Sequence, residues 1–261
     1  VPSRDEAESR PAWDASSLRD PHAQPDKGAR VQAMFDAIAP TYEQVNAVTS
    51  LGRDAIWRRR AVAAAGVAEG DTVLDICCGT GDMLRAFAEH EARPRLVIGV
   101  DFAARMLAQA RWQGNGAPIQ LLRADALRLP LRDESADVIS CVFGVRNFSH
   151  LQRGLSEMFR VARPGARVVI LEFATPANAL LRWAYRFYCG YVLTAVAAWI
   201  SRERVGAYRY LARSIPTFET TESMMRRLLD IGFEQVSARR MNLGGVVLYR
   251  AVKPAVEAGG A

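Results

Sequence analysis

Asp75, Gly79, Gly81, Asp82 and Asp101 carry the strongest chemical signal in the chain. An apolar run, Thr72-Val73-Leu74-Asp75-Ile76, breaks at Cys77-Cys78-Gly79-Thr80-Gly81-Asp82, and a second, Leu96-Val97-Ile98-Gly99-Val100, ends on Asp101. Two glycines let backbone approach a bulky ligand and take up positive φ. A dinucleotide turn would place a third glycine where Leu84 stands, so a pyrophosphate is disfavoured. Asp75 before the turn and Asp82 after it suit a cationic ligand instead. S-adenosylmethionine, with its sulfonium and amino groups, is such a ligand, and the chemistry it serves is methyl transfer to an electron-rich atom. Asp101, 20 residues past Gly81 at a strand end, is placed to accept hydrogen bonds from both ribose hydroxyls.

Further candidates follow downstream. Asp125-Ala126 closes the apolar run Ile119-Gln120-Leu121-Leu122, where a strand-end acid beside a small residue either binds an adenine amino group or caps a helix. Arg146 and Asn147 follow the run Asp137 to Val142, whose composition reads as a strand buried on both faces. In open parallel sheets ligands sit at the carboxyl ends of strands near the reversal of strand order, and the fourth strand should adjoin the first there. The bland role for Arg146 is a salt bridge to a nearby acid. Tyr42 has two readings of equal weight: a core position on an N-terminal helix, or a lid residue facing the ligand.

The elements that must hold these residues alternate. Helical spacing covers Val31 to Ala39, and a second short helix begins after Pro40. Trp57 with Arg58, Arg59 and Arg60 belongs to a third helix ending at Gly66. After Asp101 the pattern predicts a helix over Ala103–Trp112, a strand at Ile119–Leu122, the strand Asp137–Val142, and a helix over Leu151–Val161. A turn at Arg163-Pro164-Gly165 and a strand from Arg167 to Glu172 come next. The chain closes on a helix from Thr220 to Ile231 stopped by Gly232, then strands at Phe233–Ala238 and Gly245–Ala251. Between Pro176 and Pro216 an aromatic-rich insert intervenes. Its charge-free stretch, Phe187 to Ile200, falls short of the ~20 residues that span a bilayer. It reads as a helix pair packed on the domain, one face of which caps the substrate site or rests on an anionic leaflet.

With 261 residues, 50% hydrophobic and 24% charged, the chain can bury one substantial core. The net charge of +6 permits nucleic acid or anionic membrane as partner without choosing between them. Four cysteines without framework spacing and three histidines give no metal constellation and suggest a reducing cytoplasm. Residues 1–30, polar and punctuated by four prolines, read as a disordered tail with no signal peptide. The domain is expected over 31–253, with 31–65 as a helical lid, 176–216 as the insert and 254–261 as a C-terminal tail.

Several separated stretches together resemble one family. They are Phe35-Asp36-x-Ile38-Ala39-x-x-Tyr42-x-x-x-Asn46, the run Val73 to Asp82, Asp125-Ala126-Leu127-x-Leu129-Pro130, Phe143-Gly144-Val145-Arg146-Asn147, Leu171-Glu172-Phe173 and Tyr208-Arg209-Tyr210-Leu211-Ala212-x-Ser214-Ile215. The chain is similar to the quinone-biosynthesis C-methyltransferases, which methylate demethylmenaquinol and the polyprenyl-benzoquinol of the ubiquinone pathway.

The resemblance implies an α/β, Rossmann-like class I methyltransferase fold: a mostly parallel seven-stranded sheet with an antiparallel last strand, a helical lid and an insert. It implies that Thr80, Asp101, Asp125 and Ala126 contact S-adenosylmethionine beside Asp75, Gly79 and Gly81, with Val142 where the family often has a serine. Glu43 likewise replaces the usual aspartate after Tyr42. Arg146 would stabilise a phenolate, Asn147 would hold its oxygen, and Tyr42 and Tyr208 would orient the ring. The implied partner is a prenylated quinol, with peripheral contact at the inner face of a membrane and a homodimer both compatible. Nucleic acid is not expected, for the chain lacks an Asn-Pro-Pro-Tyr-type turn and its basic residues are dispersed. Two other readings stay open: a methyltransferase for a soluble phenolic or polyketide metabolite, and a silent methyltransferase fold serving as a scaffold.

Overall fold

The computed structural model describes residues 13–110, 114–201 and 206–255. Seven strands form one sheet in the order β3-β2-β1-β4-β5-β7-β6. They are β1 (Thr72–Ile76), β2 (Leu96–Asp101), β3 (Ile119–Arg123), β4 (Ala136–Val142), β5 (Ala162–Phe173), β6 (Glu234–Met241) and β7 (Val246–Val252). β1 lies parallel to both β2 and β4, β4 parallel to β5, and β7 runs antiparallel between β5 and β6. Every residue of β1 is buried, as continuous apolar runs in parallel sheets require. The order reverses between β1 and β4, so ligand-sized space opens beyond their carboxyl ends.

Helices cover both faces of the sheet. On one, α3 (Arg53–Ala65) and α4 (Asp82–Ala88) bury Trp57, Ala61, Leu84 and Phe87. On the other, α6 (Leu151–Val161) and α10 (Thr221–Ile231) bury Leu155, Met158, Met224 and Leu228. The Thr220 hydroxyl caps α10 by accepting from the Ser223 N–H, and Gly232 ends it at φ +112°. Leu84 occupies the place of a third turn glycine, yet α4 still packs closely on the sheet. Gly99 in β2 makes the room, since a Cβ there would lie 2.6 Å from Leu84 Cδ1.

A third layer lies over the carboxyl edge. It comprises α1 (Lys27–Ile38), α2 (Tyr42–Thr49) and the insert: α7 (Ala179–Phe187), one π-helical stretch (Tyr188–Leu193), α8 (Thr194–Ser201) and α9 (Ala207–Ser214). Its core joins Val31, Met34 and Ile38 to Tyr208, Tyr210 and Trp13. No helix among the described residues is long and apolar enough to cross a membrane.

Four expectations need correction or restriction. The tail was expected to be disordered to residue 30, yet Trp13 is fully buried, its ring stacked 4.3 Å from Tyr210. Asp14 accepts the N–H groups of Ser16 and Ser17 there, and α1 starts at Lys27 rather than Val31. One tryptophan docked on a distant helix outweighs a polar composition. Residues 1–12 and 256–261, the rest of both expected tails, lie outside the described residues. The helix predicted over Ala103–Trp112 is only α5 (Ala104–Leu107), followed by turns to Ala110, with 111–113 outside the described residues. The turn predicted at Arg163-Pro164-Gly165 is a bulge inside β5, with Gly165 at φ +79° where the register with β4 shifts.

Candidate active site

Two cavities meet above the switch point. The first, of about 360 Å3, is walled by the turn after β1, the ends of β2 and β4, and α1. Cys77 at φ +58°, Gly79 at +55° and Gly81 at +90° turn the chain through left-handed backbone, and a non-glycine residue there is strained. Asp101, buried at the end of β2, accepts the Gly79 N–H on one oxygen and the Ala103 N–H on the other, each at 2.9 Å. Burial pushes its carboxyl pKa up, against these hydrogen bonds. Asp125 accepts the Leu127 N–H at 2.9 Å. Asp101 and Asp125 are the charged residues of this wall, and no Lys or Arg lines it among the described residues. Such a wall favours a cation and repels a polyphosphate.

The sequence-derived site residues divide in two. Gly79, Asp101, Asp125, Ala126 and Val142 line this cavity, whereas Asp75, Thr80 and Gly81 stand outside its wall. Asp75 lies beneath the turn, where the Ser140 hydroxyl of β4 donates to its carboxylate across the strand pair. Burial pushes its pKa up to about 7, with the Ser140 hydrogen bond opposing. Thr80 is buried, and its carbonyl accepts from Arg85 Nη1 at 3.0 Å. Gly81 donates to the Cys78 carbonyl and opens α4. These three shape the turn from behind.

The second cavity, of about 350 Å3, is apolar, with Met34, Ile38, Trp57, Phe173 and Leu211 in its wall. Arg146 gives it one polar end. Arg146 Nη1 pairs with Glu172 Oε1 at 2.6 Å and donates to the Phe143 carbonyl at 2.8 Å. Burial opposes the guanidinium charge, but Glu172 beside it holds the pKa above its ordinary value. The Arg146 Nε–H, also buried, has no hydrogen-bond partner among the described residues. Arg58, also in this wall, bridges Asp54 at 2.7 Å and Asp82 at 2.9 Å through Nη1.

Arg146 and Asn147 do not project together as their adjacency suggested. They share a single 3-10 turn, so Arg146 faces the apolar cavity and Asn147 the acidic one. The Asn147 amide donates to the Phe143 carbonyl at 3.2 Å and its oxygen accepts from Tyr210 at 3.0 Å. Phe35, Tyr42 and Phe143 line both cavities. Phe143 does so at φ +57°, its ring stacked 4.3 Å from Phe173. Burial raises the Tyr42 pKa, and the side chain both packs against the third-layer core and lines the two cavities.

Sequence reasoning missed three supporting residues. Glu172, quoted only as part of a motif, is the Arg146 counter-ion. Gln32 of α1 donates to the Phe102 carbonyl at 3.0 Å and lines the acidic cavity. Buried Lys27 donates to the carbonyls of Arg146 at 2.9 Å and Phe148 at 2.6 Å, with His22 Nδ1 at 3.1 Å. Burial first, and the Arg146 charge second, push its amine down to about 8. Glu172 was open to recognition as a charge inside an apolar strand; Lys27 gave no signal in a segment read as disordered.

Comparison with known proteins matches the model of the ubiE/COQ5 methyltransferase family to residues 23–253. A demethylmenaquinone methyltransferase of Deinococcus radiodurans is 41% identical over 211 residues, 80% of this chain and 86% of that one. The ubiquinone/menaquinone biosynthesis C-methyltransferase UbiE of Geobacter sulfurreducens is 36% identical over 232 residues, 87% of this chain and 90% of that one. Among solved structures, a methyltransferase of Thermotoga maritima superposes with a TM-score of 0.56 at 19% identity, covering 85% of this chain and 98% of its own. That level of identity speaks to the fold alone.

Proposed function

The chain belongs to the ubiE/COQ5 methyltransferase family, and from that we propose that it uses S-adenosylmethionine to methylate a ring carbon of a prenylated quinol, with demethylmenaquinol as the acceptor. One observation carries the reading: an acid-walled cavity and an apolar cavity share Phe35, Tyr42 and Phe143. A cationic methyl donor and a lipid-like acceptor would each find a matching wall, with the transfer between them at the shared residues.

S-adenosylmethionine, when bound, supplies a methyl group on a positively charged sulfur. The donor set fits it. The lone pairs of Asp101 left over from its two backbone bonds would accept ribose hydroxyls, and Asp125 with Ala126 would hold the adenine amino group. Val142 offers no hydroxyl, so recognition leans on the two acids. At the boundary Tyr42, Phe35 and Phe143 exclude water and align the ring, which matters because an in-line displacement asks chiefly for orientation. A quinol hydroxyl has a pKa of ~10 and must lose its proton, to water, to make the neighbouring carbon nucleophilic. Once the carbon–methyl bond has formed, that carbon sheds its own hydrogen to water as a proton, restoring the aromatic ring. Arg146 in the wall of the apolar cavity would stabilise the hydroxyl oxygen electrostatically as negative charge develops on it, and Glu172 keeps the guanidinium in place. Asn147, tied to Tyr210 and Phe143, is a positioning residue for this turn.

The test is incubation with methyl-labelled S-adenosylmethionine and a panel of reduced naphthoquinone and benzoquinone precursors, followed by locating the label. We expect it on a ring carbon, with the demethylnaphthoquinol turned over fastest. Label on oxygen, or transfer confined to soluble phenols, overturns the reading.

A further inference from the structure

The insert helix α7 contributes no fully buried residue to the fold. Its inner side reaches the apolar cavity through Tyr185, and Tyr188 and Cys189 continue that wall. On the opposite side, at spacings of three and four, stand Leu180, Trp183, Phe187 and Tyr191, between 52% and 73% exposed. The rings form a continuous file, with centroids 6.1 Å apart from Trp183 to Phe187 and 5.3 Å from Phe187 to Tyr191. Two further exposed residues stand at the mouth of the same cavity. Leu51 and Leu243 line it, are 80% and 77% exposed, and are held at φ +53° and +55°. Left-handed backbone at a leucine is costly, and a fold that holds two of them out into solvent at one opening is paying for a contact made there.

We infer that the outer face of α7, with Leu51 and Leu243 at the cavity mouth, is a docking surface for a bilayer bearing anionic headgroups. Charge selects this occupant. From Ala174 to Ser201 the chain has no Asp or Glu, while Arg182 and Arg186 flank the aromatic file. Arg53 joins them at the mouth, where it donates to Asn242 and ties the Leu51 and Leu243 loops together. An apolar face rimmed by arginines lies in the interfacial plane of an anionic leaflet and is too short to cross it. The surface serves a purpose only if the apolar cavity is the acceptor's, so the inference rests on that reading: a prenyl tail would pass from lipid to cavity between the two leucines.

Flotation with vesicles tests it without requiring turnover. The full chain should float with mixed phosphatidylcholine–phosphatidylglycerol vesicles and much less with phosphatidylcholine alone. The double variant Trp183→Glu/Phe187→Glu should partition about tenfold or more weakly while still binding S-adenosylmethionine in calorimetry. Should that variant fail to bind the cofactor, Trp183→Phe decides: it should float as the parent does but be quenched less by brominated acyl chains. Failure of the parent to float, equal flotation on neutral vesicles, undiminished flotation of the double variant, or unchanged quenching in Trp183→Phe each overturns the inference. A chain that floats as expected but methylates no quinol would sink the acceptor reading and leave the surface standing.

Discussion

At the scale of single residues, the site is a set of charges whose partners decide what each can do. Arg146 is buried against Glu172, so Arg146→Ala leaves an unpaired buried carboxylate and should cost about 3–5 kcal/mol of stability as well as turnover. The double change Arg146→Met/Glu172→Gln separates these effects. It should recover most of the stability, measured by denaturant unfolding, and stay inactive; recovery of turnover would assign Arg146 a structural role only. Asp101→Asn should weaken S-adenosylmethionine by about 10–100-fold in calorimetry, the loss of charge-assisted bonds to the ribose, with acceptor KM unmoved. Asp75 behaves differently. An acid whose pKa is raised to about 7 by folding holds its proton more tightly folded than unfolded. Its contribution is complete below about pH 4 and is lost as pH rises through about 7, up to about 4 kcal/mol in all. Asp75→Asn should therefore gain on the parent in Tm between about pH 5 and 8; parallel Tm profiles would contradict the shift. Gly79 and Asp101 were legible because type and spacing alone define a strand-turn-strand acid. The recess of Asp75 was not, because its contact with Ser140 depends on a register between strands 65 residues apart.

At the scale of elements, helix α1 walls both cavities, and it is anchored by one buried lysine. Lys27→Met removes the donor to the Arg146 and Phe148 carbonyls while relieving the cost of burying an ammonium group. The first effect should win by about 2 kcal/mol, since each orphaned buried carbonyl costs about 1–3 kcal/mol. The expected outcome is a Tm lowered by about 4–8 °C and a kcat that falls more than cofactor affinity does. An unchanged kcat would mean that the turn holds its shape without α1. A second element-level test is Gly154→Ala in α6, where the new Cβ would collide with the Phe148 ring. Overpacking of that kind costs about 1–3 kcal/mol, and because Phe148 lines the acidic cavity, cofactor affinity should fall with stability. The strands followed from apolar runs and their alternation with helices, which are local and periodic signals, whereas of the strand order only the β1–β4 adjacency was legible. The docking of Trp13 did not follow, because its burial depends on Tyr210, a contact nearly 200 residues away in sequence.

At the scale of the molecule, three layers meet at the site: the sheet sets the switch point, helices cover its two faces, and the third layer lies over its carboxyl edge. The third layer owes its core to Val31, Met34, Ile38 and Tyr210, whose cluster reaches the sheet edge through Ala103 and Met106 beside the acidic cavity. A ligand in that cavity would touch α1 through Gln32 and the sheet through Asp101, and so would tie the one to the other. Ligand binding to the folded state alone stabilises by RT ln(1 + [L]/Kd), about 2.7 kcal/mol at a hundredfold excess over Kd. For a chain of this size that is a rise in Tm of about 5–10 °C. S-adenosylmethionine should produce it. A dinucleotide such as NAD should not, because the acidic wall repels its pyrophosphate. Amide hydrogen exchange locates the effect: protection should rise in Lys27–Ile38 as well as around Gly79. Protection at the glycine turn alone would show that the lid closes independently of the cofactor, and the two cavities would then be neighbours without being coupled.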